Sequence, residues 1–342
     1  MASQATGSRE RDLALTRREL LRRGALVGAG LALGASGLAG LGLRGKSCER
    51  KVDGPMETAE RINSIPTRVL GPTGTRVTIL GLGGYHIGKA ADPELAVRII
   101  RTAIDEGINF LDNAWCYLGG ESERIMGRAL QDGYRSKVFL MTKNHGRNAA
   151  TFQRQLEESL LRLRTERIDL LQFHEIVHEG EPQRLFSEGA VEAAVAARKS
   201  GKIRFIGFTG HRYPHLFRQM LDHDFPWDTV QLPTNPLDAH YRSFTREILP
   251  LLSARRIGVI GMKSLAAGEL LKSGISVREA LTYALSLPIH TLVSGVDSLQ
   301  VLRQNLEIVR SWEPLSEEEQ SHLVERAASW GRDGHLEFYK KD

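Results

Sequence analysis

From residue 67 onward, short apolar runs alternate with stretches of helical period. Thr67–Leu80 opens this pattern as two extended runs around Gly71-Pro72-Thr73-Gly74, a turn chemistry that predicts a β-hairpin. Strand-like runs then occur at Thr78–Leu82, Asn109–Leu111, Lys137–Thr142, Ile168–Phe173, Ile203–Phe208, Thr229–Leu232, Gly258–Gly261 and His290–Val293. Between them lie helical patterns. Pro93–Glu106 has apolar residues at Leu95, Ile99, Ala103 and Ile104, and the others run over 121–131, 150–163, 188–199, 213–222, 243–253, 276–286 and 298–309. Strand and helix alternating eight times predict a parallel sheet with right-handed crossovers, closed on itself. The expected fold class is therefore α/β: a (β/α)8 TIM barrel with an N-terminal β-hairpin and a C-terminal helical extension. That extension is the amphipathic segment Ser316–Ser329, which is expected on the outside of the barrel or over its rim.

A doubly wound dinucleotide fold is the competing topology. Gly81-Leu82-Gly83-Gly84-Tyr85-His86-Ile87-Gly88 superficially resembles its phosphate-binding fingerprint. The fingerprint requires glycine where His86 stands, and an acidic residue ending a second strand about 20 residues on, which is not obvious in this chain. These glycines are better read as a tight turn at the end of the first barrel strand.

The N-terminus follows a different pattern. Thr16-Arg17-Arg18-Glu19-Leu20-Leu21-Arg22 precedes an uncharged Gly/Ala/Leu-rich stretch from Gly24 to Leu43. A basic region followed by an apolar one is the composition of an export leader, and the Arg-Arg pair resembles the twin-arginine signal. Residues 1–45 are thus expected to be a twin-arginine-like signal segment, 46–65 a polar tether and 66–342 the barrel. The apolar stretch has about the length needed to span a bilayer, so a retained anchor is the alternative, although its glycines weaken a helix. The location expected is extracytoplasmic, in the periplasm, with the twin-arginine machinery as partner and the membrane reached only through the leader.

Charge sharpens this division. The chain has 342 residues and a net charge of +5. Residues 1–50 hold nine Lys/Arg against four Asp/Glu, which accounts for the whole excess. The body is electrically balanced, so no nucleic-acid partner is expected. Cys48 and Cys116 are the only cysteines. Two cysteines make neither a disulfide framework nor a metal-ligand spacing, and no metal is expected. Cys116 is read as a small buried residue beside the site.

The candidate chemistry lies at the ends of three consecutive strands. Asp112, Tyr117, Lys143 and His174 each follow an apolar run. Parallel barrel strands share one C-terminal rim, so these four converge. An acid, a phenol, an ammonium and an imidazole form a proton-transfer set. A free phenol has a pKa of about 10, and a neighbouring Lys143 ammonium is expected to lower that of Tyr117. Asp112 would hold the lysine, and His174 would orient a carbonyl oxygen by hydrogen bonding.

Several spaced motifs carry a family resemblance. They are Arg68-Val69-Leu70-Gly71-x-Thr73-Gly74, Leu80-Gly81-Leu82-Gly83-Gly84, and Asn109-Phe110-Leu111-Asp112-x-Ala114-x-x-Tyr117. Thr142-Lys143, Ile168-Asp169-Leu170 with His174, Gly201-Lys202-Ile203-Arg204 with Ile206-Gly207, and Val230-Gln231 follow in order. Over about residues 66–310 the chain resembles the aldo-keto reductase family. The resemblance implies a (β/α)8 barrel that reduces an aldehyde or ketone, or runs the reverse, with NAD(P)H, usually NADPH. It assigns Tyr117 as general acid, Lys143 and Asp112 as its tuning partners, and His174 as the orienting residue. Cofactor contacts are implied at Gly84, Thr209, Gln231, Met262, Lys263, Ser264, Leu265, Ser294, Gly295, Asp297, Gln304 and Asn305.

Three positions depart from the pattern. Gly210 stands where many members have Asn. Met262 lies where many have an aromatic residue against the nicotinamide. Asp297 occupies a position that is often basic in enzymes that bind a 2′-phosphate, and an acid there favours the ribose hydroxyl of NAD(H). Asp297 as cap of the following helix is the alternative, so NADP(H) and NAD(H) both remain open. Tyr85, His86, Trp115, His145, His211 and Tyr213 are expected to line a polar-aromatic substrate pocket. A second function remains open too: a cofactor-retaining redox sensor or partner-docking barrel with little turnover.

Overall fold

The computed structural model describes residues 60–89 and 92–341. The leader, most of the tether and Cys48 lie outside the described residues. Eleven strands are present among those described: β1 (Glu60–Ile62), β2 (Ile65–Val69), β3 (Arg76–Thr78), β4 (Leu80–Gly83), β5 (Phe110–Asp112), β6 (Phe139–Asn144), β7 (Ile168–Phe173), β8 (Ile203–Thr209), β9 (Thr229–Pro233), β10 (Gly258–Met262) and β11 (Thr291–Gly295). Strands β4 to β11 close in sequence order into an all-parallel eight-stranded barrel, with β11 pairing β4. The expected (β/α)8 architecture is the one observed.

The N-terminal hairpin is part of a three-stranded antiparallel sheet, β1-β2-β3. The added strand lies within the stretch read as tether: Glu60 pairs with Thr67 and Ile62 with Ile65. Leu70 and Val77 of this sheet join Phe110, Phe139, Met141, Leu170 and Ile260 in one buried cluster. Phe139 stacks on Phe110 at 5.5 Å and on Phe205 at 6.0 Å. The cluster gathers side chains from the small sheet and five barrel strands, so the barrel interior is a packed core rather than a channel.

Helix boundaries follow local chemistry. Asp92 caps Pro93–Asp105 by accepting from the Glu94 amide at 2.9 Å, with Pro93 in the first turn, where its missing N–H costs nothing. Ser276 with Glu279 and Ser316 with Glu319 form capping boxes for Val277–Ser286 and Glu317–Gly331. The helix expected over 243–253 is broken into Phe244–Glu247 and Leu249–Ala254. Pro250 lacks the N–H that a continuous helix would use. The stretch before Ala190–Lys199 contains a separate helix, Glu181–Ser187, which the apolar pattern did not reveal. No helix among the described residues is long and apolar enough to cross a membrane.

The C-terminal extension does more than flank the barrel. Leu323 and Ala327 pack with Leu237, Leu270 and Tyr283, and the chain then brings Leu336 and Tyr339 into the same cluster. Lys340, fully buried, pairs with Asp238 at 2.7 Å and Glu337 at 2.8 Å. This end of the chain thereby becomes part of the rim beside β8, β9 and β10.

Candidate active site

The structure brings the four rim residues together. Asp112 ends β5, Lys143 lies in β6, His174 follows β7, and Tyr117 begins a tight 3-10 turn after β5. Lys143 is 1% exposed and donates to the Asp112 carboxylate, to the Asn113 carbonyl at 2.8 Å and to the Tyr117 hydroxyl at 3.3 Å. The other Asp112 oxygen accepts from Gln231 Nε2 at 2.6 Å. An ammonium removed from water needs this number of acceptors to remain charged. The ring of His174 stands edge-on to Tyr117, with centroids 5.7 Å apart.

The electrostatics of Tyr117 differ from the sequence expectation. Its pKa lies well above the usual phenol value, pushed up first by burial and then by the negative charge of Asp112. Lys143 does not reverse this, because Asp112 is its closest partner. Tyr117 is thus a neutral phenol, a reservoir of one proton rather than a ready phenolate. Burial and the nearby Lys143 charge push His174 well below its usual value, so its imidazole is neutral.

Cys116 joins this group. Its Sγ lies 3.5 Å from His174 Nδ1 and 3.1 Å from His145 Nε2. The two imidazoles lie 4.5 Å apart, centroid to centroid. Burial and Glu175 raise the Cys116 thiol to about 11, so it keeps its proton. With that proton donated to His174 Nδ1, His174 carries its own hydrogen on Nε2. Glu175 is a further participant that the sequence pattern did not single out. It pairs with His211 at 3.3 Å, lies 3.8 Å from His145, and is held at about 2, chiefly by the His211 hydrogen bond.

The remaining expected positions divide. Tyr85 lies edge-on to Tyr117 at 5.3 Å and is 42% exposed, at the mouth of the site. His86 reaches β11: a Cβ added to Gly295 would stand 2.1 Å from its Nδ1, so a side chain there would have to displace the imidazole. Trp115 is not brought into the pocket. Its indole donates to Glu158 at 2.7 Å and packs beside Arg154 and Arg162 of the helix Ala149–Leu163, because the Asn113 and Trp115 amides continue the ladder to β6 and alternation turns residue 115 away from the face of Asp112. Tyr213 packs against Arg242 and His215. His211 stays at the rim, where its Nδ1 meets the Tyr339 carbonyl at 2.8 Å.

Positions implied for the cofactor line the rim from β8 to β11. Thr209 pairs in register with Gln231, and both are buried. Gln231 Oε1 is buried without a hydrogen-bond partner, an acceptor suited to a carboxamide N–H. Beyond Met262, the turn holds Lys263, Ala266 and Ala267 in left-handed backbone conformations, together with a buried Ser264 and a half-buried Leu265. Strain of about 1–3 kcal/mol at each such residue is typical of ligand clamps. Lys263 has its pKa lowered by burial, and its ammonium lies over the Tyr339 ring at 4.6 Å. Ser294 is bonded to Asn305 at 3.1 Å, while Gln304 faces solvent. Gly84 packs against Asn113 and Ser122 with no room for a side chain. These donors, the orphan acceptor and the helix N-terminus at Ser298 fit a dinucleotide.

Two of the departures receive structural reasons. At Gly210 a Cβ would lie 2.6 Å from the Ile176 carbonyl, so an Asn has no space. Ser298, not Asp297, caps the helix Leu299–Arg310, accepting from the Val301 amide at 3.2 Å. Asp297 therefore has no capping role. It is exposed just ahead of the helix, where its charge acts on His86.

Comparison with known proteins agrees with this architecture. The model of the Aldo/keto reductase family matches residues 79–330. Aldo-keto reductase AMT2 of Alternaria alternata is 31% identical over 59% of this chain, which spans 65% of that protein's length. L-galactose dehydrogenase of Arabidopsis thaliana is 32% identical over 62% of this chain and 69% of its own. An aldo/keto reductase from Klebsiella pneumoniae, solved in complex with NADP and acetate, shares the fold with a TM-score of 0.64 at 24% identity, covering 76% of this chain and 95% of that one. By its family match and its closed barrel, this chain belongs to the aldo/keto reductase family.

Proposed function

We propose that this chain is an NADP(H)-dependent oxidoreductase that reduces a small polar aldehyde or ketone to the alcohol. The observation that carries the reading is the Lys143 ammonium held between the Asp112 carboxylate and the Tyr117 hydroxyl at 3.3 Å. When bound, a reduced nicotinamide supplies the hydride. The protein's part is the proton. As negative charge builds on the carbonyl oxygen, Tyr117 gives up its phenolic hydrogen. Lys143 lies beside the phenolate so formed, and Asp112 with Gln231 keeps Lys143 in place. Neutral His174 offers Nε2–H to the same oxygen, fixing its position.

The raised pKa of Tyr117 gives this site a direction. An alkoxide is basic enough to take the proton, so reduction proceeds from the resident state. Oxidation must begin from a phenolate, which burial and Asp112 disfavour. The polar rim of His145, Glu175 and His211 supports a hydroxylated substrate, as does the sugar named in the L-galactose dehydrogenase relative. Residues 1–45, with Arg17-Arg18 before an apolar stretch, support export of the chain through the twin-arginine machinery to an extracytoplasmic compartment.

The test is fluorescence titration with NADPH and NADH, followed by turnover of sugar-derived and simple alkyl aldehydes. Tight NADPH binding and faster reduction of the hydroxylated aldehydes are expected. Asp297→Arg should shift preference toward NADPH by about tenfold, the worth of one charge-assisted hydrogen bond. A chain that binds neither nucleotide and turns over no carbonyl would end this reading.

A further inference from the structure

Cys116, His145 and His174 are separated by 29 and then 29 residues, one βα unit each, so no local motif announces them. The barrel nevertheless brings one ligand atom from each to within 4.8 Å of the others. We propose that this trio is a binding site for one thiophilic divalent cation, with Zn2+ as its reference ion.

The geometry is close to that of a tetrahedral zinc. With Zn–S of about 2.3 Å and Zn–N of about 2.0–2.1 Å, sulfur and nitrogen ligands stand roughly 3.5 Å apart. The Cys116 sulfur lies 3.1 Å from His145 Nε2 and 3.5 Å from His174 Nδ1. The two nitrogens lie within 4.8 Å of each other. One thiolate and two imidazoles leave the fourth position for water or the Glu175 carboxylate, 3.8 Å from His145 Nε2. Ligation would use both imidazoles in their neutral form and the sulfur as thiolate.

Binding breaks the S–H bond of Cys116. The sulfur pair goes to the metal and the proton leaves to solvent. The charged and titratable groups facing the trio are Tyr117, Glu123, Lys143, Arg147, Glu175, Glu181 and His211. Glu123 is paired with Arg162 and Glu181 with Arg147, so of these carboxylates it is Glu175, 3.8 Å from His145, that is left to meet an added cation. A metal on His174 Nδ1 leaves the hydrogen on Nε2, which is the donor that an incoming carbonyl uses. Occupancy therefore locks the productive tautomer. That consequence rests on the proposed reductase reading, whereas the site itself does not.

The experiment uses the full chain carrying Cys48→Ser, so that Cys116 is its only thiol, and Co2+ as the optical probe. One equivalent should bind, with a sulfur-to-cobalt charge-transfer band in the near ultraviolet and four-coordinate ligand-field bands, and Zn2+ should displace it. Affinity should rise about tenfold per pH unit through neutrality, because one thiol proton is released. Adding Cys116→Ser should abolish the charge-transfer band and weaken binding by roughly a hundredfold or more, beyond the typical cost of changes behind a ligand. Should that variant fold poorly, His145→Gln decides: it should keep the sulfur band while losing affinity. A missing charge-transfer band in the Cys48→Ser protein, or affinity unchanged by His145→Gln, would overturn the proposal. Neither outcome bears on NADPH turnover, so the reductase reading stands or falls separately.

Discussion

Two buried networks in this molecule use almost the same parts. At the β5–β6 rim, Lys143 holds Asp112 and Tyr117, with the Gln231 amide as a fourth member. At the C-terminal segment, Lys340 holds Asp238 and Glu337, while Tyr339 donates to Glu337 at 2.7 Å and Asn235 at 3.1 Å from its hydroxyl is the fourth member. Burial and a neighbouring carboxylate raise the phenol pKa in both. A perturbed pKa therefore does not distinguish them. Connectivity does. The Tyr339 hydroxyl is spent on Glu337. The Tyr117 hydroxyl receives from Lys143 and keeps its own hydrogen to give, and the Gln231 amide that holds Asp112 leaves its oxygen without a partner. One network ties down a chain segment, and the other leaves capacity for a ligand.

The comparison is broken most forcefully at Lys340. Lys340→Met leaves Asp238 and Glu337 buried without their cation and should cost about 3–5 kcal/mol of stability, read by denaturant unfolding. Whatever folds should keep its kcat. A loss of kcat in fully folded protein would assign the C-terminal network a chemical role.

The fourth members provide a finer contrast. Gln231→Leu removes the open acceptor and should raise the Kd for the nicotinamide cofactor by about tenfold, near the upper worth of one neutral hydrogen bond. Asn235→Leu, which also frees the Lys263 carbonyl it meets at 3.2 Å, should change that Kd less while lowering the unfolding midpoint. Equal Kd values for the two variants would show that the orphan oxygen of Gln231 faces no cofactor.

The smallest effect is one of pH. With His174 pushed down and Tyr117 pushed up, neither changes charge through neutrality. The kcat/KM for reduction should be flat from about pH 6 to 9, given ordinary values near 6.5 and 10. A limb at the ordinary histidine value would show that the His174 environment is more open than its packing implies.

The two networks were unequally legible. Asp112, Tyr117, Lys143 and His174 each follow an apolar run, and a parallel barrel turns such positions into neighbours. Lys340 and Asp238 lie 102 residues apart, in a tail and a 3-10 turn without period, so no pattern joins them. Near the strand ends, local rules weakened. Trp115 is close in sequence to the site residues, but the ladder to β6 runs on through it and alternation directs its indole to Glu158. Asp297 and Ser298 are both good capping residues, and only backbone geometry selects Ser298. The Tyr117 pKa rises rather than falls because burial and the Asp112 carboxylate, which Lys143 already serves, both act on it, and neither is visible from the spacing of Tyr117 and Lys143.

The most direct test pairs the two tyrosines. Tyr117→Phe and Tyr339→Phe each remove one hydroxyl from a buried lysine–carboxylate network, and single-turnover oxidation of bound NADPH by an aldehyde measures the consequence. Tyr117→Phe should slow that step by about 10²–10⁴-fold, the usual worth of a positioned general acid, with the unfolding midpoint nearly unchanged. Tyr339→Phe should keep the rate and lower the midpoint. Equal rates in the two variants would contradict the assignment of Tyr117 as the proton donor.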